Sequence, residues 1–209
     1  IPEVGQRLLE AHADATNAGD ERTRRGLLYP IGTLSRSLQG SDVPLAERMV
    51  QEVRDALAIA TDPDDLVAAV AALGNAERPD DVPALRALAS HDDVGVRAQV
   101  ASSLRQSRDA ASVDLLFAML EDPDRHVAAS ALSTIDGGLA AQTPHLHRLA
   151  MATMQGAVHS ELTGPLVSVL AHHGGDDAIV RGALVALWQR ARDPHERGRL
   201  FRMLGLASA

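Results

Sequence analysis

Asp62–Leu73 reads DPDDLVAAVAAL, Asp93–Leu104 reads DVGVRAQVASSL and Asp124–Ile135 reads DRHVAASALSTI. The three segments begin at one constant interval of 31 residues. Each sets an acidic residue ahead of a run of small and aliphatic side chains and ends on a large one. Val82 and Val113 keep the same interval in the stretches between. A fixed period of this size marks a helical solenoid, in which a single unit cannot bury its apolar face and stacks on its neighbours to do so. The predicted fold is all-α: a right-handed α-solenoid, or superhelix, of antiparallel helix pairs. One solenoid domain over residues 1–209 is expected, with N-terminal helices in 1–61, the most regular repeats in 62–135 and more divergent repeats in 136–209.

The local chemistry agrees with the period. Asp62, Asp93 and Asp124 stand where a side-chain oxygen can accept the unpaired N–H groups of the following helix. Pro63 suits a first helical position, and Asp42-Val43-Pro44 and Asp81-Val82-Pro83 open helices in the same manner. Gly74, directly after Leu73, is placed at a left-handed C-terminal cap. Helix pairs are expected at 82–90 with 94–106, 112–120 with 125–135, 143–156 with 161–172, and 176–190 with 194–204. The last helix is capped by Asp193, with Glu196 at the capping-box position.

Upstream, helices are expected over 4–18 and 22–38 and from 42 to 61. Val4, Leu8, Leu9 and Ala11 to Ala15 are placed on the buried side of the first. Leu27, Leu28, Ile31, Leu34 and Leu38 share a face of the second, where Pro30 predicts a kink or a late start. Leu45, Met49, Val53, Leu57 and Ala60 line the third.

Composition narrows the chemistry. Apolar residues make up 45% of the chain but aromatics only 2%, so the core must be leucine, valine and alanine, and stacking platforms for bases or sugars are scarce. All 20 basic residues are arginine, which excludes a Schiff-base lysine and a phosphate-loop lysine. Without cysteine there is no disulfide framework, thiolate zinc site or thiol nucleophile. No apolar run reaches membrane-spanning length, and the first residues are not expected to act as a signal peptide. Because the first residue is Ile1 rather than Met, the chain is expected to be a processed or excised piece of a longer protein.

The repeated unit resembles the HEAT repeat. Glu121 to Ala129, reading EDPDRHVAA, looks like the turn and second-helix start of that family, and Val96-Arg97 supplies a Val-Arg pair often found there. A narrower resemblance covers residues 30 to 135. Ala72-Leu73-Gly74-Asn75-Ala76, with Pro79, Val82 and Leu85 following, is similar to the helical domain of the vitellogenin and large lipid-transfer family. Ile31-Gly32-Thr33-Leu34 resembles a segment placed similarly there, and Arg97, Val100, Leu104 and Arg105 match its arginine-bracketed helix. The resemblance implies an arch wrapped around β-sheets of a larger, extracytoplasmic or secreted protein. Lipid would then be met only indirectly.

Candidate chemistry is sparse. His145 and His147 lie two apart on a predicted helix and diverge by about 200°. His172-His173-Gly174-Gly175-Asp176-Asp177 could bend both histidines and a carboxylate around an ion, but it is read as an exposed inter-helix loop with Asp176 capping the next helix. Acidic turns such as Asp62-Pro63-Asp64-Asp65 and Asp92-Asp93 lack the glycine and terminal glutamate of a calcium loop and are read as caps. Ser160 beside His159 lacks the glycines of a nucleophile elbow. No catalytic, cofactor-binding or metal site is therefore assigned.

Arg181, Arg190, Arg192, Arg197, Arg199 and Arg202 make the C-terminal region locally basic, which suggests a nucleic-acid binder or DNA-glycosylase-like enzyme as an alternative. The formal net charge of −8 opposes it. The expected function is a non-enzymatic scaffold for a protein partner or for other domains of a parent chain. Leu200, Phe201 and Leu204 on the last helix are the candidate docking residues, with Leu206 continuing the apolar character.

Overall fold

Every element of regular structure among the described residues is helical. The computed structural model describes residues 1–174 and 176–204, without the side chains of Glu196, Arg199 and Met203. The capping-box reading of Glu196 and the apolar continuation at Leu206 fall outside those residues, as does Gly175. The chain forms two compact units, Ile1–Val113 and Asp114–Ala209. No described helix is long and apolar enough to cross a membrane.

The first unit holds α1 (Pro2–Ala18), α2 (Glu21–Leu38), α3 (Val43–Ile59), α4 (Pro63–Ala76), a 3₁₀ turn at Pro79–Asp81, α5 (Val82–Ala87) and α6 (Val94–Ser103). Helix α7 (Ala110–Met119) follows. Helices α2, α4 and α6 pack side by side, α1 and α3 back the first two, and α5 lies against α6. This is a stack of antiparallel pairs, the α-solenoid that the period demanded.

The caps explain why helices start where they do. Asp62 accepts from Asp64 N at 2.8 Å, Asp93 from Val96 N at 3.0 Å and Asp124 from His126 N at 2.8 Å. Each therefore occupies the same cap one period after the last. Asp20, Asp42 and Asp109 cap α2, α3 and α7 likewise.

Gly74 departs from expectation. It lies inside α4, and the left-handed residue closing that helix is Glu77, at φ 53°. A Cβ on Gly74 would stand 2.5 Å from Ser103 Cβ, and one on Gly32 would stand 2.1 Å from the Ala72 carbonyl oxygen. Both glycines let neighbouring helices touch backbone to backbone, Gly32 joining α2 to α4 and Gly74 joining α4 to α6. Ser103 completes the second contact by donating to Val70 O at 3.0 Å.

Other local expectations are also revised. Asp81 does not cap α5. It is buried, and Arg54 Nε donates to it at 2.7 Å. Helix α2 runs unbroken from Glu21 through Pro30; the carbonyl that Pro30 cannot pair belongs to Gly26, on the exposed side. On α1 the buried residues are Gly5, His12 and Ala15, while Val4 is exposed. The helix seats on Gly5, which meets Leu45, Met49 and Leu38, so of the expected face Ala15 is buried, Leu8 and Leu9 are half-buried, and Val4, Ala11 and Ala13 are exposed.

The second unit contains α8 (Arg125–Asp136), α9 (Thr143–Gln155), a 3₁₀ turn at Ser160–Leu162, α10 (Thr163–Gly174), α11 (Ala178–Arg190) and α12 (Pro194–Met203). Helices α9 and α11 lie together, α10 touches both, and α12 packs on α10 and α11. Here a glycine does close a helix: Gly156 follows α9 at φ 77°. Asp177, rather than Asp176, caps α11 through Ile179 N and Val180 N.

Candidate interaction surface

Helix α4 has neighbours on three sides: α2, α6 and, behind, α3. Its fourth side carries Val67, Ala68 and Ala71, all half-buried, and no described residue from Leu66 to Ala76 is fully exposed. On α2 the corresponding positions are Gly26, Tyr29 and Thr33, with Tyr29 59% exposed. On α6 they are Ala98, Gln99 and Ser102. Gly32 and Gly74 let the three helices close up, and all of these positions are uncharged, most of them small.

Charge is confined to the two ends of this surface and is internally paired there. At the N-terminal ends, Arg24 Nη2 donates to both oxygens of Asp65 at 2.8 Å, and Arg25 Nε donates to Asp65 at 2.5 Å. Burial pushes the Asp65 carboxyl upward, but the two guanidinium groups outweigh it and hold the pKa below the usual carboxylate range. At the other end Arg36 pairs with Glu77 at 2.5 Å, and Arg105 Nη2 donates to Asn75 Oδ1 at 2.6 Å. Paired charges of this kind fix helix positions and leave little net field over the surface between them.

The other candidate residues are placed as follows. His147 Nε2 bonds Asp177 at 2.8 Å and His173 Nε2 bonds Asp136 at 2.9 Å, so the two histidines tie helices together. The His147 hydrogen bond is also the main reason that the Asp177 pKa is lowered. Among the described residues no group of three or more histidines and carboxylates could hold a metal ion. Arg190 donates to the carbonyls of Thr153 and Met154, Arg197 lies over the Trp188 ring, and Arg181 is 4.0 Å from Asp176. Each of these arginines thus has a local contact of its own, while all three stay exposed. Leu200 is wholly buried in its own unit, while Phe201 and Leu204 beside it are half-exposed.

Sequence reasoning missed the His12–Glu52 pair, at 2.7 Å between α1 and α3. His12 sat within an alanine-rich run and carried no spacing signal. Tyr29 was missed because an isolated tyrosine on an outer helix face has no motif.

A family model for HEAT repeats matches residues 50–136. No curated protein and no solved structure matches the chain. The matched stretch covers the capped helices α4, α6 and α8, and it makes the chain similar to helical-repeat scaffolds. The words that resembled lipid-transfer proteins have a packing explanation: Gly32 and Gly74 are the two close-contact glycines, and Asn75 is the ligand of Arg105. A lipid-transfer role gains no support from these comparisons.

Proposed function

We propose that the protein is a non-enzymatic helical-repeat scaffold that binds a protein partner across the surface of α2, α4 and α6. The observation that carries this reading is the uncharged, small-residue surface with one exposed tyrosine, bounded by ion pairs that are already closed. Such a surface costs little to desolvate, and Tyr29 supplies the aromatic anchor that protein interfaces favour. Its smoothness suits a partner helix, whose side chains would lie in the shallow grooves between the three helices.

A photo-crosslinking residue at Thr33 or Gln99 should give the same discrete protein adduct in extract of the producing cell. The adduct should disappear when Ala71→Arg is added. The same group at Gln51, on the far side of α3, should give none. Equal adducts from all three positions, or no adduct from Thr33 and Gln99, would refute the reading.

A second contact is proposed at α12. There Phe201 and Leu204 stay half-exposed next to the buried Leu200, and they would accept a further helix, a sheet or a second copy of the chain.

A further inference from the structure

The corner where one repeat hands over to the next holds a cleft in each unit. In the second unit α9 ends at Gly156, the 3₁₀ turn leads into α10, and α11 returns to the cap of α12. The walls enclose about 630 Å³. The matching corner of the first unit, after α4 and its left-handed Glu77, encloses about 260 Å³.

Their charges differ more than their sizes. In the first unit Glu77 is paired with Arg36, Arg78 with Glu47, and Arg108 with the carbonyls of Arg105 and Ser107. In the second, Arg190 and Arg192 line the cleft, and among the described residues no carboxylate lies within ion-pair distance of either. Arg190 is held by two carbonyls at the end of α9, Thr153 O at 2.7 Å and Met154 O. A guanidinium has five N–H donors, so three remain. Helix-terminal carbonyls steady the cation through their partial negative charge without cancelling it.

Among the described residues the one carboxylate lining the cleft, Asp193, accepts from His195 N as the cap of α12. His159 is oriented by donating from Nε2 to the Asp122 carbonyl at 2.5 Å. Beneath this cationic rim the floor is apolar, formed by Leu166 and Leu187, both buried.

We infer that the α9–α10–α11 cleft binds an acidic segment of a protein partner, its carboxylate on Arg190 and Arg192 and a neighbouring apolar side chain on Leu166 and Leu187. The inference rests on the scaffold reading and adds the chemistry of a second contact. Charge complementarity selects an anion. The leucine floor favours a peptide over a bare phosphate, and among the described lining residues there is no Phe, Tyr or Trp to stack a base. A carboxylate held by a preorganised arginine is a stronger contact than one held by a mobile surface charge.

The test is fluorescence anisotropy with a fluorescein-labelled short peptide of alternating glutamate and leucine, at low salt. It should bind the full chain. Replacing its glutamates by glutamines, or introducing Arg192→Glu, should weaken binding by about tenfold or more. Arg108→Glu in the first unit should leave binding unchanged. Arg192 is exposed, and unaltered circular dichroism would verify that its variant folds.

Absent binding, equal binding of the glutamine peptide, or insensitivity to Arg192→Glu would overturn the inference. Displacement by inorganic phosphate alone would assign the cleft to a free anion, and preference for duplex DNA would assign it to nucleic acid. Either result removes the acidic-peptide inference. Crosslinking at Thr33 and Gln99 is independent of Arg192, so the scaffold reading can stand if the cleft fails.

Discussion

Two glycines on α2 should respond to the same substitution with opposite signs. Gly26 is exposed, and a Cβ added there meets nothing within 4 Å. Gly26→Ala should stabilise the protein by up to about 1 kcal/mol, the difference in helix propensity between the two residues. Gly32 has the same propensity to gain, but its added Cβ would stand 2.1 Å from Ala72 O and 2.7 Å from Ala72 C. Those atoms are backbone of α4 and cannot rotate aside, so α2 and α4 must separate.

Overpacking costs about 1–3 kcal/mol, occasionally more. With the obstacle a rigid helix rather than a side chain, the upper end applies. After subtracting the propensity gain, Gly32→Ala should destabilise by about 2 kcal/mol. Urea unfolding followed by far-ultraviolet circular dichroism measures both changes on one baseline. A Gly32→Ala protein as stable as the wild type would mean that α2 and α4 do not touch at this point, and the close-packed surface would lose its basis.

Further outcomes are expected. Leu104→Ala, at a wholly buried position, should cost about 2–5 kcal/mol by truncation and cavity formation; a loss under about 0.5 kcal/mol would show that it is not core. Asp93→Ala should cost about 1 kcal/mol through the lost cap at Val96 N, and an unchanged urea midpoint would contradict that role. Asp65 has a lowered folded pKa, so its stabilisation is present above about pH 4 and is lost as pH falls through the folded value. Asp65→Asn should lower the melting temperature at neutral pH and flatten its acid decline; a steeper acid decline would refute the assignment. Phe201→Asp should abolish any self-association of the wild type in analytical ultracentrifugation, and a wild type that stays monomeric at high concentration would remove the second-copy form of the α12 contact.

The repeat architecture was legible because N-caps obey a local rule. An aspartate followed by a helix-forming run reads the same way at 62, 93 and 124, whatever surrounds it. Gly74 was misread because a helix-ending glycine and a packing glycine both sit near a helix C-terminus; only the partner backbone at Ser103 separates them. Asp81 repeats the Asp-Val-Pro spelling of Asp42, yet Arg54 reaches across from α3 and takes its carboxylate, a contact between residues distant in sequence. The seating of α1 likewise depended on Leu38, Leu45 and Met49 meeting at Gly5. The candidate surface was hardest to foresee, since small residues on an α-helix carry no chemical signature until three helices bring them side by side.

Helix α4 has no fully exposed position from Leu66 to Ala76, and this bears on how such a scaffold can acquire new partners. A change at its buried positions, Leu66, Ala69, Val70 or 72–76, disturbs packing against its neighbours, so most of the helix has little mutational latitude. Its amides should also be among the slowest in the first unit to exchange with solvent. Tyr29 and Thr33 on one flank and Gln99 on the other can vary at small cost in stability. Recognition can therefore be retuned along the margins while the middle stays fixed, and a change of partner need not be preceded by a gain in stability.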